Sequence, residues 1–142
     1  MMLNDSPDMS ALHDFLEDAH RLLGCAQECL HHFQLIGEDA DASDCLIQTL
    51  GSLRDKASAC RQSQIAGFCG QLCERLEPAG HRSRLHSAAL GTLEACLCLL
   101  AWQVELIDPF TGTLNLDTAE QLELLQHLDQ VLTANGLPVE NA

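Results

Sequence analysis

Apolar residues recur at every third or fourth position in five separate stretches of this 142-residue chain, and no stretch alternates Val, Ile or Thr with polar residues. A repeat near 3.6 residues belongs to a helix with one buried face, so the pattern predicts an all-α fold. The four prolines, Pro7, Pro78, Pro109 and Pro138, fall outside the periodic stretches and, with the glycines, mark the joints.

The first stretch runs from Ser10, a plausible N-cap, to Ile36. It spaces Leu12, Phe15, Ala19, Leu22, Ala26, Cys29 or Leu30, and Phe33 along one stripe. Gly37 to Asp41 breaks it. Ser43 and Asp44 open a second helix with the stripe Leu46, Leu50, Leu53, Ala57 and Cys60, interrupted by the polar Arg61 to Gln64. A third helix, Ile65 to Glu77, turns Ile65, Phe68, Cys69, Leu72 and Leu76 inward and ends at Pro78-Ala79-Gly80.

The fourth helix, about residues 81–107, is apolar on two faces. One holds Ala89, Leu93, Cys96, Leu100, Val104 and Ile107; the other holds Ala88, Ala95, Leu99, Trp102 and Leu106. Such a helix is expected to be covered on both sides. After the turn at Asp108 to Gly112, Thr118 and Gln121 offer a capping box for a fifth helix to about Ala134, closed by Asn135-Gly136. Its Leu124, Leu125, Leu128, Val131 and Leu132 would cover the second face; the competing cover is a second copy of the chain, a homodimer through the Trp102 face. The expectation is one domain over residues 1–142: an antiparallel four-helix bundle, about 10–107, with an additional C-terminal helix, about 117–134.

Charge restricts the partners. Lys and Arg number 7 against 21 Asp and Glu, a formal charge of -14, so the attraction to phosphate that dominates nucleic-acid binding is missing. Neither nucleic acid nor membrane is expected as a partner. The longest nearly apolar run, Ala95 to Trp102, is shorter than the roughly 20 residues a membrane span needs. Met1 to Ser10 has no basic start and no apolar core, as a secretory signal would, so a cytoplasmic location with reduced cysteines is expected.

On a helical wheel Asp55 falls almost opposite the stripe of the second helix. Gly51 and Ala59 stand one turn before and after it, and Ser52 and Ser58 three residues away, so a dish of small residues would surround one carboxylate. The plain alternative is a solvated helix face poor in long side chains. Gly51 asks for a reason in either case, since a mid-helix glycine costs about 1 kcal/mol against alanine.

Here the chain resembles the bacterial histidine phosphotransfer (HPt) domains. Phe15-Leu16-Glu17-Asp18-Ala19-His20-Arg21-Leu22-Leu23 is similar to the family's first long helix, which often reads FLEEAxxLL. The family carries its phospho-accepting histidine on the second helix in an H-x-x-K-G pattern, and its third helix ends near L-x-x-x-L-E. Counting back from Leu72-Cys73-Glu74-Arg75-Leu76-Glu77 puts Asp55 at the histidine position, Ser58 at the lysine and Ala59 at the glycine. Setting Gln48-Thr49-Leu50-Gly51-Ser52 on the motif instead needs a gap and also lacks the histidine. The resemblance, over roughly residues 12–107, therefore implies a bundle without the phospho-acceptor. Acyl-phosphate chemistry on an aspartate relies on a bound metal and a nearby lysine, and no acidic cluster adjoins Asp55 in sequence. The expectation is a module that binds rather than transfers. Its partner-binding residues would be Asp55, Gly51, Ser52, Ser58, Ala59 and Gln48, with a basic group on the partner meeting the carboxylate.

Eight cysteines remain. Cys25-x3-Cys29 with His32, and Cys69-x3-Cys73, place sulfurs one turn apart, a spacing that can hold a soft metal between helices and that resembles copper-storage bundles. The chain departs from those in having far fewer cysteines, and Cys29, Cys60, Cys69 and Cys96 fit a core stripe. No metal and no other cofactor is expected. His13, His20 and His31 fall on the polar side of the first helix, and His86 near the core side of the fourth. No catalytic set can be claimed from spacing, so the chain is expected not to be an enzyme. Three functions follow: an HPt-like adaptor or competitor binding a signalling protein, an acidic chaperone, anti-factor or immunity protein for a basic client, and a cysteine-lined metal-binding bundle.

Overall fold

Five helices carry the five stripes in a computed structural model, which describes residues 5–36, 40–80 and 87–136. They are α1 (Asp5–Ile36), α2 (Ala40–Ala59), α3 (Ser63–Gly80), α4 (Ser87–Leu106) and α5 (Ala119–Gly136), and no strand occurs among the described residues. α1 packs beside α2 and α4, α3 beside α2 and α4, and α5 lies against both α3 and α4. The fold is therefore an antiparallel four-helix bundle with an additional C-terminal helix.

Burial follows the 3.6 period. Phe15, Ala19, Ala26, Leu30 and Phe33 of α1, Leu46, Leu50, Leu53 and Ala57 of α2, and Ile65, Phe68, Cys69, Leu72 and Leu76 of α3 line one core. Cys60 is only half-buried, because α2 has already ended at Ala59. Helix ends differ from expectation by up to about a turn and a half. α1 begins at Asp5 rather than Ser10 and takes in Pro7, which the first turn tolerates because its N–H groups have no intrahelical acceptor. α2 begins at Ala40, so Ser43 is buried within its first turn instead of opening it. α3 reaches Gly80, with Pro78 in its last turn. α5 continues through Asn135 and Gly136, where a stop was expected. The expected start of the fourth helix, with His86, and Pro138 lie outside the described residues.

The α2–α3 corner is a Schellman cap. Gln62 N–H donates to Ala57 O at 2.8 Å and Arg61 N–H to Ser58 O at 3.1 Å, with Arg61 in the left-handed region at φ 62° where glycine is usual. Gln62 then donates through Nε2 to Gly112 O at 2.8 Å, tying the corner to the turn after α4. Gly112 itself has φ 74°, a conformation that favours glycine.

The fourth helix corrects the expectation that α5 covers its Trp102 face. Ala89, Leu93, Cys96, Leu100, Val104 and Ile107 are buried, but Trp102 is 66% exposed and Leu106 48%, with Ala88 and Ala95 also exposed and Leu99 half-buried. α5 takes the other flank of α4, where buried Gln103 donates through Nε2 to buried Gln121 Oε1 at 3.1 Å. Gln121 thus faces α4, while Asp117 Oδ1 accepts from Ala119 N–H at 3.0 Å at the start of α5. The Ala88–Leu106 segment is also long and apolar enough to cross a membrane by length and composition, with 50% of it buried inside the bundle.

The glutamine pair yields a directional test. Gln103 Oε1 is buried without a partner, so losing Gln121 would strand both polar ends of Gln103. Gln121→Leu is expected to cost about 1–3 kcal/mol, Gln103→Leu less, and the double leucine variant to be near neutral. Urea denaturation of the three variants checks the order, and equal losses for the two single variants would contradict the pairing.

Candidate functional site: the outer face of α2

α2 is held on both flanks, which fixes what it shows to solvent. Toward α1, Lys56 Nζ lies 3.4 Å from Asp18 Oδ2, and Arg21 donates to Asp18 Oδ1 at 3.1 Å. The Arg21 hydrogen bond and then Lys56 hold the Asp18 carboxyl below its usual range. Toward α3, Cys73 Sγ donates to Ile47 O at 3.7 Å. Between these flanks Gln48, Ser52, Asp55, Ser58 and Ala59 are exposed, and Gly51 is half-buried.

Asp55 stands well into solvent, its side chain 73% exposed, and it is not alone. Arg54 Nε donates to its Oδ1 at 3.1 Å, which raises the arginine pKa further. The Arg54 stem also lies across the α2–α3 seam. A Cβ on Gly70 would meet Arg54 Cδ at 3.5 Å, and one on Gly51 would meet Nη2 at 3.6 Å. The open dish expected around Asp55 is therefore occupied on its α3 side by an arginine, which a Cβ at Gly51 or Gly70 would meet at ordinary contact distance. Sequence spacing missed Arg54 because adjacent helical residues do not face each other.

No family model, curated protein or solved structure matches the chain.

Beyond Ala59 the face runs into an open cleft of about 360 Å³ at the end of the bundle, lined by Leu12, Ala59, Cys60, Arg61, Gln62 and Phe110. Phe110 is 79% exposed at its rim. Polar face, paired charges and apolar rim together suit contact with another macromolecular surface. A charged rim guides encounter, and an exposed aromatic can anchor it.

The cysteines and histidines divide by burial. Burial pushes the Cys69 and Cys96 thiols up to about 12, and raises Cys73 and Cys60 by less. Cys25 is half-buried on α1, Cys45 exposed on α2 and Cys98 exposed on α4. Among the described residues, no three His, Cys, Asp or Glu side chains gather in a way that could hold a metal ion, the Cys25, Cys29 and His32 spacing included. His13 pairs with Glu17 at 3.5 Å on the surface, and His20 and His31 are exposed.

Proposed function

We propose that this chain is a non-catalytic protein-binding module resembling an HPt domain, in which Asp55 stands where the phospho-accepting histidine would be. It serves as an adaptor or competitor in bacterial two-component or chemotaxis-type signalling, in the cytoplasm. The observation that carries the reading is the outward Asp55 on a flank-held helix, with Gln48, Ser52, Ser58 and Ala59 exposed around it. The side chain there is a carboxylate bonded to Arg54 rather than an imidazole, and Ser58 at the lysine position brings no second cation. Recognition would exchange the exposed Arg54–Asp55 pair for a basic group of the partner on Asp55 and an acidic one on Arg54. That exchange loses little, because an exposed ion pair is worth about 1 kcal/mol or less.

A second reading rests on charge. Arg21, Arg54, Lys56 and Arg75 each already sit against a carboxylate, so few cations offset the surplus of acid. Such a body would attract a basic client without any special role for Asp55.

Binding assays on surface variants separate the two readings. Asp55→Arg reverses one charge and sets a second cation beside Arg54, and Gly51→Leu displaces Arg54 from the seam. Each is expected to weaken capture of the native-host partner at least about tenfold, with stability changed by about 0.5 kcal/mol at Asp55. Capture that survives both substitutions but collapses in high salt would favour the basic-client reading.

A further inference from the structure

α1 and α2 meet at a pair of thiols. Cys29 Sγ lies 2.7 Å from Cys45 Sγ, inside the van der Waals contact of two sulfur atoms and roughly 0.7 Å longer than an S–S bond. Cys29 belongs to the buried face of α1, whereas Cys45 is exposed on α2. Cys25 stands one turn before Cys29, half-buried. Sulfurs this close leave no room for an ion between them, and no third ligand gathers there among the described residues.

We propose that Cys29 and Cys45 are a modification site: a dithiol that a low-molecular-weight disulfide converts reversibly into an intrachain disulfide clamping α1 to α2. Exposure assigns the order of events. The Cys45 thiolate attacks one sulfur of the small disulfide, whose S–S bond breaks, and the first small thiolate leaves and takes up the proton that Cys45 released. Cys29 then gives its proton to solvent and attacks the Cys45 sulfur. The mixed disulfide breaks, and the second small thiolate leaves and is protonated. Two protein thiols lose two electrons, and one small disulfide gains them to become two thiols.

Burial first, then the hydrogen bond with Cys45, pushes the Cys29 thiol up to about 12. Cys29 therefore stays protonated in the resting pair and suits the second, intramolecular step, where proximity replaces a high thiolate fraction. The cross-link encloses the α1–α2 connection, a loop of modest length, so it restricts the unfolded chain. The oxidised protein is expected to melt roughly 5–10 °C higher than the reduced one.

Oxidised and reduced glutathione in graded ratios test the site on the reduced full-length protein, followed by acid quenching, denaturation and alkylation with N-ethylmaleimide. Two of the eight thiols are expected to become unreactive together, peptide mapping is expected to join Cys29 to Cys45, and excess reduced glutathione is expected to reverse the link. Cys29→Ser should stop at a stable glutathione adduct on Cys45, Cys45→Ser should form no link, and Cys25→Ser should still form it. Eight reactive thiols at every ratio would overturn the proposal. So would a link through Cys25, or one between chains through Cys98. A Cys29–Cys45 link that leaves the melting temperature unchanged would overturn the clamp. Circular dichroism of the exposed-site variant Cys45→Ser guards against a folding artefact, since a folded variant that still cross-links Cys29 elsewhere also counts against the pair.

Discussion

Phe68→Ala is expected to lower the unfolding free energy by about 3–5 kcal/mol, the largest loss from any single side chain in the bundle. Phe68 is 0% exposed and sits in the second turn of α3, on the same stripe as Ile65, Leu72 and Leu76. α3 touches α2, α4 and α5, so a cavity at this ring is bordered by elements that cannot all close in on it. A domain of this size holds about 5–15 kcal/mol in all, so the loss is a large share of the total stability. Urea denaturation followed by helical circular dichroism reads the loss as a lowered midpoint with an unchanged slope. Leu122→Ala, at a residue 51% exposed on α5, is the control and should shift the midpoint little. Similar losses at the two positions would mean that α3 is not the packing centre.

The helical core was legible because one physical signal determines it. An apolar stripe must be buried somewhere, and in α1, α2 and α3 each stripe is narrow enough to have one solution, as Phe15, Leu50 and Phe68 illustrate. α4 carries apolar residues around most of its circumference, so periodicity could not say which flank α5 would take. The deciding residue was polar. Gln103 is 1% exposed and meets Gln121 across the α4–α5 contact, while Trp102, the residue a hydrophobicity argument buries first, faces solvent. A buried amide needs a partner, whereas an exposed indole costs little.

The candidate face was legible only in outline for a related reason. The wheel placed Asp55 outward, but a long side chain can reach well beyond its own position, and the Arg54 stem crosses to Gly70 on another helix. Likewise Cys29 reads as a core residue, whereas Cys45 is absent from the stripe of the second helix. Their contact depends on the register between α1 and α2, which no local spacing encodes.

Deleting residues 119–142 is expected to remove much of the stability yet leave the tryptophan signal nearly where it is. α5 buries Leu125 and Leu128 against the bundle, at about 1.5–3 kcal/mol for each side chain. It also covers Gln103 and supplies Asp129, which accepts from Arg75 Nε at 2.7 Å and Nη2 at 3.1 Å. Without α5 the apolar flanks of α3 and α4 meet water and Gln103 keeps no protein partner, so a total loss above about 5 kcal/mol is expected. Trp102, the only tryptophan, is already largely in solvent with α5 present, so its emission should shift little on truncation. Helical circular dichroism on heating should show a low, broad transition, and acrylamide should quench Trp102 almost equally in both forms. A large red shift would place Trp102 under α5 after all, and a truncated chain that melts within a few degrees of the full one would show that the four-helix ring is stable by itself.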